Sequence, residues 1–166
     1  KRILYTPLNP NSILYGKMLS NLTMSILQLL VMFIFSWLVF GLNIFTDVLS
    51  LIIMILASAF ACSAFGIFLA SVAKSRKQVQ GLSTVIILLM SAIGGSMVPL
   101  FIMPDIMSKI AVFSVNYWAL QGFFDIFWRE MSMLHILSRA GVLFGMGLII
   151  TTLAFRFYRS NILKLV

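Results

Sequence analysis

The chain has 166 residues, of which 61% are hydrophobic and only 10% charged, with a mean hydropathy of +1.09. A soluble domain carries about 25% charged residues, so the composition excludes one and gives an integral membrane protein. The formal net charge is +8, but the basic residues gather at the ends of apolar runs, as in the cytoplasmic loops of membrane proteins, and this excludes nucleic acid as a partner.

In chain order, residues 1–17, KRILYTPLNPNSILYGK, are too polar to span. Pro7 and Pro10 break any long helix there, and the segment reads as a cytoplasmic one lying on the membrane or on a partner. The sequence opens without Met or a signal-peptide pattern and reads as a partial chain. Apolar runs follow at Met18–Leu42, Val48–Ala73, Val79–Val98 and Ile136–Phe155. None alternates like a strand, so all four are predicted to be helices. The first, at about 1.5 Å per residue, is long enough to cross a core of about 30 Å with some tilt.

The turn at 43–47 holds no basic residue, whereas the turn at 74–77 holds Lys74, Arg76 and Lys77. Lys1, Arg2 and Lys17 lie before the first span, and Arg156, Arg159 and Lys164 after the last. The positive-inside rule then places both ends of the chain and the 74–77 turn in the cytoplasm.

Between Ser91 and Glu130 the chain stays apolar but is interrupted by Gly94-Gly95, Pro99, Pro104, Asp105, Lys109, Ser114, Asn116 and Asp125. A full crossing here would move the basic C-terminal tail outside. Residues 99–130 are therefore predicted to form an outer re-entrant helical hairpin. One helix starts after Pro104 with Asp105 at its positive end. The other is capped by Ser114 or Asn116 and ends near Trp128. Tyr117, Trp118 and Trp128 suit the headgroup level. The fold expected is all-α: one transmembrane domain over 1–166, with four spans, the hairpin and the N-terminal segment.

Ser58, Cys62, Gly66 and Ala70 recur at every fourth position, and Gly141 with Gly145 makes a GxxxG. Both read as smooth helix faces for close packing, with Cys62 a small apolar packer. Asn21, Gln28 and Gln121 either bond across helices or face a cavity. The eleven methionines read as filler.

Chemistry is sparse. Gly16-Lys17 lacks the rest of a P-loop, so any ATP is bound by another chain or domain. One His and one Cys make no metal cluster, and His135 reads as an interfacial polar residue. The four acids, Asp47, Asp105, Asp125 and Glu130, all fall in outer turns or the broken segment. An ion-coupled carrier usually keeps an ionisable residue in its interior. Arg129, four residues after Asp125, reads as a surface or interfacial ion-pair partner rather than half of a catalytic pair. The residues thus offer a poor catalytic cluster for an enzyme, and a fragment of an ion-coupled carrier or channel is one reading they leave open.

Three segments, in this order around the counted spans, carry a family resemblance: TPLNPNSILYGK, GGSMVPLFIMPDIMSKIAVFSVNYWALQGFFDIF and FRFYRSNIL. They resemble the cytoplasmic coupling segment, the outer helix pair and the basic tail of the permease subunit of type-2 ATP-binding-cassette exporters. The likeness covers the C-terminal two-thirds of such a subunit, spans three to six of six. Asn9-Pro10-Asn11 departs from it, because many relatives place a charged residue there.

The resemblance implies a homodimer or heterodimer of permeases in the bacterial cytoplasmic membrane. ATP and magnesium would be held on a separate nucleotide-binding subunit, with no cofactor on this chain. It implies ATPase contact through Arg2, Tyr5, Thr6, Pro7 and Leu8. It also implies an outer gate around Gly94, Gly95, Pro99, Pro104, Asn116, Tyr117 and Trp118.

Overall fold

The computed structural model describes residues 10–73 and 75–163, which form six α-helices joined by short turns. They are α1 (Pro10–Phe40), α2 (Val48–Val72), α3 (Arg76–Ile93), α4 (Asp105–Ala111), α5 (Val115–Phe127) and α6 (Met133–Leu163). Arg2, Tyr5, Thr6, Pro7 and Leu8 lie outside the described residues.

Pro10 does not break a helix; it begins one. Proline suits a first helical turn because the amide it lacks would have had no partner there. Residues 10–17 of the expected coupling segment are therefore continuous with the first span. The turn at 43–47 ends in Asp47, whose carboxylate Oδ1 accepts from the Ser50 amide at 3.1 Å and starts α2. Ser75 starts α3 in the same way, its Oγ accepting from the Gln78 amide at 3.2 Å.

Among the described residues three helices are long and apolar enough to cross a membrane: Leu14–Phe40, Val48–Val72 and Met133–Tyr158. The expected span Val79–Val98 differs. Its helix, α3, has 18 residues and stops at Ile93, a rise of about 27 Å. Gly94 and Gly95 end it, with Gly95 at φ +93°, a backbone open to glycine but strained for other residues. The two helices expected within 99–130 are present as α4 and α5. Helices α4 and α5 meet at 92°, an elbow rather than two antiparallel arms.

α2 is the central helix, apolar all round and buried along much of its length. It packs on α6 through a seam of small residues. Lipid is as apolar as leucine, so helices in a membrane associate by close van der Waals fit rather than by hydrophobic burial. Ala57 and Ala61 of α2 meet Ala140 and Leu143 of α6 in one buried cluster with Met54, Val115, Ile126 and Ile136. A second cluster joins Leu14, Ile67 and Ala154. It ties the start of α1 to the ends of α2 and α6, beside the basic turn and tail. The Ser63 hydroxyl adds a bond to the Met18 carbonyl at 3.1 Å.

α5 shares a buried cluster with Met54 and Ala61 of α2 and Ile136 and Leu143 of α6, meets Phe33 of α1, and also contacts α3. Gly122 makes the approach to α2 possible, because a Cβ there would overlap the terminal methyl of buried Met54. α3 contributes no buried residue, and its apolar Val85, Leu88 and Leu89 are exposed.

Candidate functional site

The break after α3 is pinned to the start of α5. A Cβ on Gly94 would lie 3.0 Å from both Asn116 Cβ and Ser114 Oγ. Ser114 precedes α5 but does not cap it; its hydroxyl donates instead to the Met90 carbonyl of α3 at 3.3 Å. Asn116 is likewise not a cap. Its Nδ2 donates to Ser96 Oγ at 2.6 Å, and that hydroxyl donates to the Ser91 carbonyl at 3.0 Å. The side chains of Ser96, Ser114 and Asn116 are thus paired across the break. Pro99 leads into a single 3-10 turn, Leu100–Ile102, and Pro104 stands immediately before α4.

The four-spaced small residues of α2 border cavities rather than a tight seam. A space of about 300 Å³ between α1, α2 and α5 is lined by Ser25, Gln28, Ser58, Cys62 and Asn116. Another of about 280 Å³ between α2, α3 and α5 shares Cys62 and Asn116 and adds Gly66, Ser83 and Met90. Ala70 lines a third with Asn21 and Lys17. Gln28 and Asn21 are therefore cavity-facing. Ser58 Oγ is buried with no hydrogen-bond partner, an unmet polar atom at the wall of the first space. A Cβ added at Gly141 or Gly145 would meet nothing within 4 Å, so the GxxxG is not a tight seam among the described residues.

At the other end of α5 lies an ion cluster that corrects the surface-pair expectation. Asp125 is fully buried. Its Oδ1 accepts from Arg129 Nη1 at 2.6 Å, and its Oδ2 from Arg139 Nε at 3.1 Å. His135 Nε2 lies 3.4 Å from the same Oδ2. Arg129 also donates to Gln121 Oε1 at 2.8 Å, so Gln121 bonds to the turn just beyond its own helix, and it also lines a cavity. Arg139 stands over the Trp118 ring, 5.2 Å from its centroid, and Trp118 Nε1 donates to the Val112 carbonyl at 2.7 Å. Trp118 is therefore part of a clasp between α5 and α6, while Trp128 is exposed.

Arg139 was missed in the sequence. It lies inside the last apolar run, where a charged residue is paired or functional by default, and that signal points to it. Among the described residues no three His, Cys, Asp or Glu come together to hold a metal ion.

The clasp is closed by a strained turn. Glu130 has φ +46°, the one positive value among the described non-glycine residues, and the Met131 amide then donates back to the Asp125 carbonyl at 2.9 Å. A left-handed non-glycine residue costs of order 1 kcal/mol or more. Glu130→Gly is expected to leave the fold intact and to stabilise it by up to about 1 kcal/mol, allowing for glycine's greater freedom when unfolded. Thermal melting of the purified protein in detergent checks this.

The model of one protein family, described as ABC-2 family transporter protein, matches residues 1–156. The chain belongs to that family. No curated protein and no solved structure matches it. As an ABC-2 permease the chain is a transport subunit in a membrane and not itself catalytic, and membership implies an ATP-binding partner subunit. The Asp125 cluster is then read as architecture of an ABC-2 membrane subunit, holding the broken helix against α6.

Proposed function

We propose that this ABC-2 subunit is the permease of an ATP-driven exporter that works as a dimer with a separate ATPase. The observation that carries the reading is the family match over residues 1–156. Charge placement supports the orientation. Nine of the twelve Lys and Arg residues lie in 1–17, 74–77 and 156–164, and all four acids lie elsewhere. That bias favours a cytoplasmic location for the N-terminal segment, the 74–77 turn and the tail in the bacterial inner membrane.

Residues 99–130 then enter from the outer side and return, an assignment supported by the cluster α5 shares with Met54 near the start of α2 and Ile136 near the start of α6, the ends remote from the basic turn and tail. Because α1 runs unbroken from Pro10, a push by the ATPase on the preceding residues would pass directly into the first span. The exposed apolar face of α3 is the surface we assign to the second permease, with the 94–118 break closing the outer side of the pathway between them.

An ion-coupled carrier is the second reading, favoured by the buried carboxylate of Asp125. Two arginines already bond that carboxylate, so its burial is accounted for by a structural ion pair.

Vesicle transport by the complex separates the two. Outward movement is expected to require ATP and to stop when the ATPase cannot hydrolyse it. Movement driven by an ion gradient without nucleotide would favour the carrier. In a Cys62→Ser background, a cysteine at position 76 is expected to resist membrane-impermeant reagent in intact cells; external labelling there would overturn the orientation.

A further inference from the structure

A further cavity, larger than the three spaces described above, adjoins the break. It occupies about 800 Å³ between the 95–101 strand of chain and α5. Leu100, Phe101, Phe124 and Trp128 make its apolar walls, and Gln121 and Arg129 supply its polar end. It is open to the surroundings of the bundle: Phe101 is 88% exposed and Trp128 69%.

The polar end is electrostatically incomplete. Asp125 is one carboxylate shared by two guanidinium groups. Arg129 spends only Nη1 on Asp125 and Gln121, and its side chain remains 44% exposed. Its Nε and Nη2 donors have no acceptor among the described residues. Glu130, next in the chain, makes no ion pair with it. A guanidinium fork matches the paired oxygens of a phosphate, and tryptophan beside it is the residue expected at headgroup depth, where lipid phosphates lie.

We infer that this cleft holds an anionic phospholipid. The phosphate bonds to the free edge of Arg129, and an acyl chain lies along Leu100, Phe101 and Phe124. The lipid would fill the gap between the broken helix and α5, and so brace the elbow. This inference needs only that the chain sits in a bilayer, and it is independent of ATP use and of transport direction.

The test is tryptophan quenching in the intact polypeptide reconstituted in phosphatidylcholine vesicles. Dibrominated phosphatidylglycerol or dibrominated phosphatidylcholine is added at equal mole fraction, and the difference between the natural protein and Trp128→Phe isolates Trp128. One basic side chain against an anionic headgroup is expected to enrich the anionic lipid beside Trp128 by roughly five-fold. Arg129→Gln should abolish the preference and Arg129→Lys should keep part of it.

Arg129 also pairs with Asp125, so a second variant spares that pair. Phe101→Asp, at an exposed wall position, places a carboxylate in the cleft and should equally abolish the preference. Equal quenching by both lipids would overturn the inference, as would a preference that survives Phe101→Asp. Absence of quenching by either would show the cleft closed by protein, a second copy or another span, and would refute it too. Relief of the preference by millimolar inorganic phosphate would replace the lipid by a simple anion site. ATP-driven transport by the same complex is read separately, so failure of the lipid site and failure of the exporter reading are distinguishable.

Discussion

Asp125→Asn should cost the protein about 3–5 kcal/mol, the range for removing one partner from a buried ion pair. The carboxylate is fully buried and takes bonds from guanidinium groups on two elements, Arg129 just beyond α5 and Arg139 on α6. The amide keeps the shape but removes the charge. Arg139, held over Trp118, is then left as a largely buried cation facing only neutral dipoles. The expected result is loss of monodisperse protein at temperatures the natural chain survives, read by size exclusion after heating.

Replacing the whole cluster behaves differently. Asp125→Leu with Arg129→Met and Arg139→Met should recover most of the loss, because apolar residues of similar volume often match or exceed a buried ion network in stability. That recovery would assign the cluster to fixing the position of α5 rather than to net stabilisation. If Asp125→Asn alone is tolerated within about 1 kcal/mol, the value of an exposed pair, the cluster is wet and the clasp does not hold the elbow.

The bundle was legible where one helix carries its own signals. The α2 start after the 43–47 turn and the α4 start after Pro104 follow from residues adjacent in the chain. Local chemistry also misled. Pro10 was read as a breaker because proline stops helices in their interiors, yet at a first position it costs nothing. Ser114 and Asn116 have the composition of caps, but each side chain finds a partner brought close by the fold, Met90 and Ser96.

The ion cluster was half visible. Asp125 and Arg129 are four apart and could be paired on paper. Arg139 is fourteen residues from Asp125 and meets it only because a tight turn at Glu130 folds α6 back beside α5. Burial of the carboxylate is a consequence of that third element, and spacing within one helix contains no trace of it.

The small-residue signals show the same limit, and they lead to the second large expected effect. Gly147→Leu should disrupt the pairing of α2 with α6, whereas Gly141→Leu and Gly145→Leu should not. A Cβ at Gly147 would lie 2.6 Å from Phe60 Cδ1 and 3.3 Å from the Ala61 Cα, while one at Gly141 or Gly145 meets nothing within 4 Å. Phe60 could swing, but it is stacked on Phe144 at 4.8 Å between ring centroids, and the Ala61 backbone cannot move without its helix. Overpacking of this kind typically costs about 1–3 kcal/mol, and a full leucine side chain against backbone belongs at the upper end.

The relevant period was seven rather than four: Ala140, Gly147 and Ala154 keep small or buried groups on the α2-facing side of α6, as a sustained seven-residue repeat does in left-handed helix packing. Melting of the three leucine variants in detergent decides between the two stripes. Equal loss at 141, 145 and 147 would mean that the four-spaced stripe is also an interface. Its partner would then be a surface outside this chain, because within it those two glycines face open space.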